Sequence, residues 1–148
     1  MYTAIVLNES DRAKLIKDFT AATFGHLPDG WVTRCHHVTI NMGKIDEELN
    51  PMLEVKSDCH MIVGGHVIGW ESGVIALTVN DMANPYLNHR NMVHSANRYP
   101  HITMFHHLET KPKEVNTFLE SEGCAPEHLE GISGRLIRGK VQEVGFHF

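Results

Sequence analysis

The sequence lacks the features that mark membrane, secreted and multidomain proteins. Its apolar runs fall short of the roughly 18 residues that a membrane-spanning helix needs. The opening MYTAIVLNESDRAK has no basic segment followed by a cleavage-like site, so we expect no signal peptide and no membrane partner. No low-complexity segment or linker interrupts the 148 residues. We therefore predict one domain over residues 1–148.

Cysteine and positive charge are both scarce. Three scattered cysteines, Cys35, Cys59 and Cys124, do not form the pattern of a disulfide framework. This favours a reducing, cytoplasmic location, which for a viral protein is the host cytoplasm. The net charge is −5 with neutral histidines, whereas tight binding to long nucleic acid requires a broad cationic face. A small phosphate-bearing ligand or an RNA end remains compatible with this charge, because a single pocket can be locally positive.

Several catalytic signatures are also missing. The chain contains no HExxH, no paired CxxC and no GxSxG, and GGHVIGW lacks the GK[ST] ending of a P-loop. Histidine is nevertheless abundant, with 12 residues. Adjacent pairs such as His36-His37 diverge on a strand, which is poor geometry for holding a metal. We therefore expect no metal and no other cofactor.

The pattern of apolar and turn-forming residues predicts an α+β fold. One helix follows the first strand, with Asn8 or Ser10 as its cap, and a second is predicted from Pro112 to about Ser121. The order β-α-β-β-β-β-α-β divides into two roughly equivalent halves, each with one helix. The strands are predicted over 3–7, 32–42, 59–70, 73–79, 99–105 and part of the tail after 134.

Two stretches, RCHHVTI at 34–40 and RYPHITM at 98–104, share one pattern. Each reads Arg, two residues, His, a branched apolar residue, Thr and an apolar residue. With 12 histidines and 9 threonines, chance predicts only about 0.1 copies of a His-x-Thr set with apolar neighbours. Strand alternation places His37 and Thr39 on one face, together with Cys35 and Asn41. The same rule places His101 and Thr103 on one face.

Two histidines and two threonines suit phosphodiester chemistry that needs no metal. A neutral histidine is a base towards water or a ribose hydroxyl, and a protonated histidine donates a proton to the leaving oxygen. The ordinary histidine pKa near 6.5 allows both forms to exist near neutrality. Threonine hydroxyls donate hydrogen bonds to the non-bridging phosphate oxygens, where negative charge accumulates.

The pair HVTI and HITM resembles the signature of the 2H phosphoesterases. The opening YTAIVLNESDRAKL and the closing GKVQEV look most like the small RNA-repair branch, which is similar to the cyclic phosphodiesterase domain of fungal tRNA ligases. The resemblance implies two pseudo-symmetric lobes of antiparallel sheet, with a helix in each, around a central groove. It also implies His37 and His101 as the acid/base pair and Thr39 and Thr103 as phosphate ligands. It does not fix which histidine is the acid.

Further side chains are candidates for substrate contact. Tyr99 precedes His101 by two residues on the same face and is placed to stack on a base. His107 also shares that face by alternation. Arg34 and Arg98 each lie three residues before their histidine, which sends them to the opposite face unless a bulge intervenes or, for Arg98, Pro100 bends the strand. We expect His36 to face away from His37; weaker candidates are Tyr86, His89, His94, Trp70 and Phe105.

The resemblance implies hydrolysis of a nucleotide phosphodiester. Members of the family open 2′,3′-cyclic phosphates or cleave 2′–5′ and 3′–5′ linkages, and some phage members destroy cyclic oligonucleotide messengers used in host defence. The expected substrate is therefore an RNA 2′,3′-cyclic phosphate or a cyclic oligonucleotide messenger. If the substrate is the messenger, we expect the chain to be a phage anti-defence enzyme. The alternative from another class is a binding module that sequesters a nucleotide without turnover.

Overall fold

A computed structural model describes residues 1–85, 92–111, 113–121 and 123–145. Within these ranges the chain forms seven strands and two helices. In chain order they are β1 (Tyr2–Leu7), α1 (Glu9–Ala22), β2 (Trp31–Thr33), β3 (His37–Met42), β4 (Asp58–Gly69), β5 (Val74–Ala83), β6 (His101–His107), α2 (Glu114–Ser121) and β7 (Leu136–Val144).

All seven strands belong to one antiparallel sheet. Its order is β2-β6-β3-β1-β7-β4-β5, and β5 also pairs with β6. Six strands therefore form a closed ring of pairings, and β2 lies beside β6 at one end. The predicted α+β class, with antiparallel strands and two helices, is confirmed. The second helix ends at Ser121 as predicted, while Pro112 lies outside the described residues.

The strand predicted over 32–42 is interrupted, and this part of the prediction is wrong. Cys35 has a φ of 50°, a left-handed conformation that breaks an extended strand. The backbone amides of Arg34 and Cys35 donate to the carbonyls of Met104 and Thr103, both at 2.8 Å. The chain thus stays beside β6 while it turns, and the segment is divided into β2 and β3.

The two helices cover opposite faces of the sheet. Ile75 and Leu77 of β5 belong to the main core, into which α1 packs Leu15 and Phe19. Their neighbours Val74 and Ala76 point to the other face, since side chains alternate along a strand. There they form a smaller cluster with Val67 of β4 and with two residues of α2, Val115 and Leu119.

None of the helices in the described ranges is long and apolar enough to cross a membrane. The three cysteines, Cys35, Cys59 and Cys124, carry free thiols.

Candidate functional site

The two His-x-Thr motifs lie on neighbouring strands that pair through their central residues. Val38 of β3 is the antiparallel partner of Ile102 of β6. In antiparallel pairing the residues on either side of such a pair also face each other. His37 therefore lies opposite Thr103, and Thr39 lies opposite His101.

Burial confirms that these four side chains share one face. Val38, Ile40, Ile102 and Met104 are fully buried in the main core. The side chains between them are partly exposed. This alternation places both motifs on the sheet face opposite the main core; the partly exposed residues are His37, Thr39, His101 and Thr103.

Two residues expected on this face lie elsewhere. Cys35 is fully buried in the main core, because its left-handed backbone interrupts the alternation before His37. Asn41 is separated from Thr39 by a register shift: it pairs with Thr3 of β1, whereas Thr39 pairs with Ala4. Adjacent residues of β1 point to opposite faces, so Asn41 lies on the opposite face of the sheet from Thr39 and not on the same face as predicted.

The two histidines stand diagonally across the strand pair. A diagonal of this kind corresponds to a separation of about 7–8 Å between backbone positions. The hydroxyls of Thr39 and Thr103 make no hydrogen bond to any residue in the described ranges, so both remain available to a ligand.

His101 is fixed by its own backbone. Its Nδ1 lies 2.8 Å from the carbonyl oxygen of Tyr99. A carbonyl only accepts, so Nδ1 carries the hydrogen and Nε2 is the nitrogen that faces a ligand. Burial lowers the pKa of His101 below its usual 6.5, while the hydrogen bond to Tyr99 opposes that shift.

His37 has a more strongly perturbed environment. Burial, followed by the charges of His36 and His101, lowers the pKa of His37 to about 4. His36 does not face away as predicted: its Nδ1 lies 2.9 Å from Nδ1 of His37, and the ring centroids are 5.1 Å apart. His37 is therefore neutral at physiological pH.

Tyr2 is a neighbour of the site that the sequence pattern did not reveal. Its ring centroid lies 4.9 Å from that of His37. The register of β1 accounts for the face on which Tyr2 lies, because Val6 pairs with His37 and Ala4 pairs with Thr39. Tyr2 has the same parity as Ala4 and Val6 and so shares their face. Alternation along β1 is the available sequence signal for the face of Tyr2, but it does not identify the strand beside it.

His107 does not share the face of His101, and that prediction is wrong. Ile75 pairs with Phe105 and Ala76 pairs with Thr103, so Met104 is an extra residue in β6. This bulge reverses the alternation beyond Thr103. The ring of His107 instead packs edge-on against Trp31, with centroids 6.0 Å apart.

Simple alternation sends Arg34 to the face opposite His37 unless an irregularity intervenes, and the left-handed Cys35 lies between the two residues. Nε of Arg34 donates to Nε2 of His106 at 2.9 Å. His106 pairs with Val74 of β5, and Thr103 pairs with Ala76. Since Val74 and Ala76 share a face, His106 and Thr103 do so as well, and Arg34 is held beside them.

Arg98 and Tyr99 contact each other. The guanidinium carbon of Arg98 lies 5.2 Å from the centroid of the Tyr99 ring. Tyr99 also packs against the smaller apolar cluster beneath α2. Both residues precede His101 in the chain, and their contact with substrate stays a prediction.

The weaker candidates for substrate contact differ in exposure and in position. Phe105 is 1% exposed and belongs to the main core, so it offers no stacking surface. Trp70 is 52% exposed and lines two open cavities of about 650 and 600 Å³ beside α2, away from both motifs. His94 is exposed. Tyr86 and His89 lie outside the described residues.

Within the described part of the chain, no three residues among His, Cys, Asp and Glu come together in a group able to hold a metal ion.

Comparisons with models of known protein families, with curated proteins and with solved structures found no significant match to this chain.

Proposed function

We propose that the chain is a metal-independent phosphodiesterase that hydrolyses a nucleotide phosphodiester by two-histidine acid/base catalysis. The observation that carries this proposal is the pairing of Val38 with Ile102. That register brings two imidazoles and two uncommitted hydroxyls to one partly exposed patch. This set of side chains is better suited to in-line displacement at phosphorus than to other reactions.

In the proposed reaction His37 is the base and His101 is the acid. His37 accepts a proton from water or a ribose hydroxyl as the new oxygen–phosphorus bond forms. His101 donates a proton from Nε2 to the departing oxygen as the other phosphorus–oxygen bond breaks. The assignment follows from the environments: the low pKa of His37 keeps it neutral, whereas the Tyr99 carbonyl supports a protonated His101. Thr39 and Thr103 donate to the non-bridging oxygens.

The proposal includes a substrate groove between two lobes. Support comes from the way β3 leaves β6 after Val38. The carbonyl of Thr39 accepts from the Ser95 hydroxyl at 2.8 Å, and that of Ile40 accepts from the Ala96 amide at 2.6 Å. The segment before β6 thus hydrogen-bonds to β3 beyond Val38, and we propose that it forms one wall of this groove.

The substrate we propose is a small nucleotide or an RNA end. Either a 2′,3′-cyclic phosphate or a cyclic oligonucleotide messenger presents one phosphodiester to such a pair of histidines. Cleavage of the messenger is the activity expected of a phage anti-defence enzyme in a host cytoplasm.

A substrate panel in excess EDTA tests the function. It contains 2′,3′-cyclic mononucleotides, RNA with a 2′,3′-cyclic end, cyclic di- and trinucleotides, and 2′–5′ oligoadenylate. The expected result is turnover of at least one class to a phosphomonoester or a linear product. Loss of turnover in EDTA would contradict the metal-free mechanism. Binding without turnover of any member would favour a sequestering module.

A further inference from the structure

The exposed side chain of Arg34 is held in place by a nearly buried histidine. His106 is 5% exposed, and its Nδ1 lies 2.8 Å from the carbonyl of His107. The carbonyl requires a hydrogen on Nδ1, which leaves the lone pair of Nε2 to accept from Nε of Arg34. His106 thus has both ring nitrogens engaged and acts as a fixed support for the guanidinium.

The position of this support relative to the motifs follows from β5. Thr78 pairs with His101, Ala76 pairs with Thr103, and Val74 pairs with His106. Two residues along a strand span about 6.6 Å. His106 therefore lies about one such step beyond Thr103, on the side away from His101, and Thr103 faces His37.

A second observation links the charge of Arg34 to Tyr2, the residue that contacts His37. Burial raises the pKa of the Tyr2 phenol, and the positive charge of Arg34 acts against that increase. Tyr2 lies on β1, which is on the other side of β3 from β6. Its ring is the one that contacts the ring of His37. The guanidinium charge thus acts on the tyrosine whose ring contacts His37.

We propose that Arg34 binds the phosphate of the substrate at the His37–Thr103 side of the site. This inference rests on the proposed function and adds to it a charged residue for the anion. Of the side-chain nitrogens of Arg34, only Nε makes a hydrogen bond to a described residue, so the donors of its two terminal nitrogens remain available on an exposed side chain. A guanidinium presents two parallel donors to two phosphate oxygens, which a single hydroxyl cannot do.

Kinetics of three variants test the role of Arg34. Arg34→Gln is expected to lower kcat/KM by about 10²–10³-fold, the loss typical of one donor to developing charge. Arg34→Lys is expected to fall between this variant and wild type, because lysine restores the charge without the fork. Lys17→Gln removes one exposed positive charge from α1, on the other side of the sheet, and should match wild type. Equal kcat/KM in Arg34→Gln and Lys17→Gln would overturn the proposal.

Binding of inorganic phosphate to the wild-type chain provides a second test. It requires neither turnover of a substrate nor a variant that folds. Phosphate should shift the NMR resonances of Arg34 Nε and of the His37 and His101 imidazoles together. Absence of a shift at Arg34 would overturn the proposal. If the substrate panel fails but phosphate binds at Arg34, the enzyme function fails and the anion site stands. If turnover occurs but does not depend on Arg34, the enzyme function stands and the proposed role of Arg34 fails.

Discussion

His37 of β3 lies diagonally across the strand pair from His101 of β6, and each histidine faces the threonine of the other motif. The Val38–Ile102 pairing produces this arrangement. Since both strands bury their alternate residues in one core, neither motif can turn its histidine away without exposing Val38 or Ile102. The core therefore holds the two histidines and the two threonines in register.

The pH dependence of kcat/KM should have its maximum on the acid side of 6.5. In the proposed mechanism the base His37 must be neutral, so activity should rise with pH through the His37 pKa of about 4. The acid His101 must be protonated, so activity falls through its pKa, which burial holds below 6.5. Initial rates at low substrate concentration measure this profile. A maximum above pH 6.5 would contradict the lowered pKa of the two histidines.

His36→Ala should raise the pKa of His37. Burial is the largest cause of the low value, and the neighbouring His36 charge is the next. Without that charge the protonated form of His37 is less disfavoured, and the acid limb of the pH profile moves to higher pH. Histidine NMR titration measures the shift directly. His128→Ala, which removes an exposed histidine that contacts Glu130, is the control. Equal His37 pKa values in the two variants would refute the coupling.

Thr39→Val and Thr103→Val should each lower kcat by about 10²-fold. Valine preserves the branched shape and strand preference of threonine but removes the hydroxyl donor. Thr39→Ser and Thr103→Ser keep that donor and should retain most of the activity. The measurement is steady-state kcat with melting temperatures alongside. If serine and valine variants lose activity equally, the hydroxyls are not the phosphate donors.

His37→Gln should make the fold less sensitive to acid. The unfolded chain binds a proton at His37 near pH 6.5, whereas the folded chain binds it only near pH 4. The free energy of unfolding of the wild type therefore decreases as the pH falls from 6.5 to 4. Glutamine removes this contribution, so the decrease should be smaller. Urea unfolding at the two pH values measures it, and an unchanged decrease would show that His37 titrates normally.

The motif faces could be predicted from the sequence, but the surroundings could not. His37 and Thr39, like His101 and Thr103, lie within regular strand segments where alternation is a local property. The placement of Arg34 and His107 depends on a left-handed Cys35 and on the bulge at Met104. Both irregularities arise where β2, β3 and β5 share β6, which is a property of long-range pairing.

Tyr2 illustrates the same limit for a regular strand. Its face within β1 follows from alternation, since Tyr2, Ala4 and Val6 point together. Its contact with His37 depends on the long-range pairing of β1 with β3, whose register shifts between Thr3 and Ala4. No local sequence pattern indicates which strands will lie next to β1 in the sheet.

The most direct test of the two-histidine mechanism compares wild type, His37→Gln, His101→Gln and the double variant on one substrate in excess EDTA. Each single variant should lose about 10²–10⁴-fold in kcat, with an unchanged fold by NMR. The double variant should lose little more, because the two residues act as a unit. Turnover within a few fold of wild type in either single variant would contradict the account.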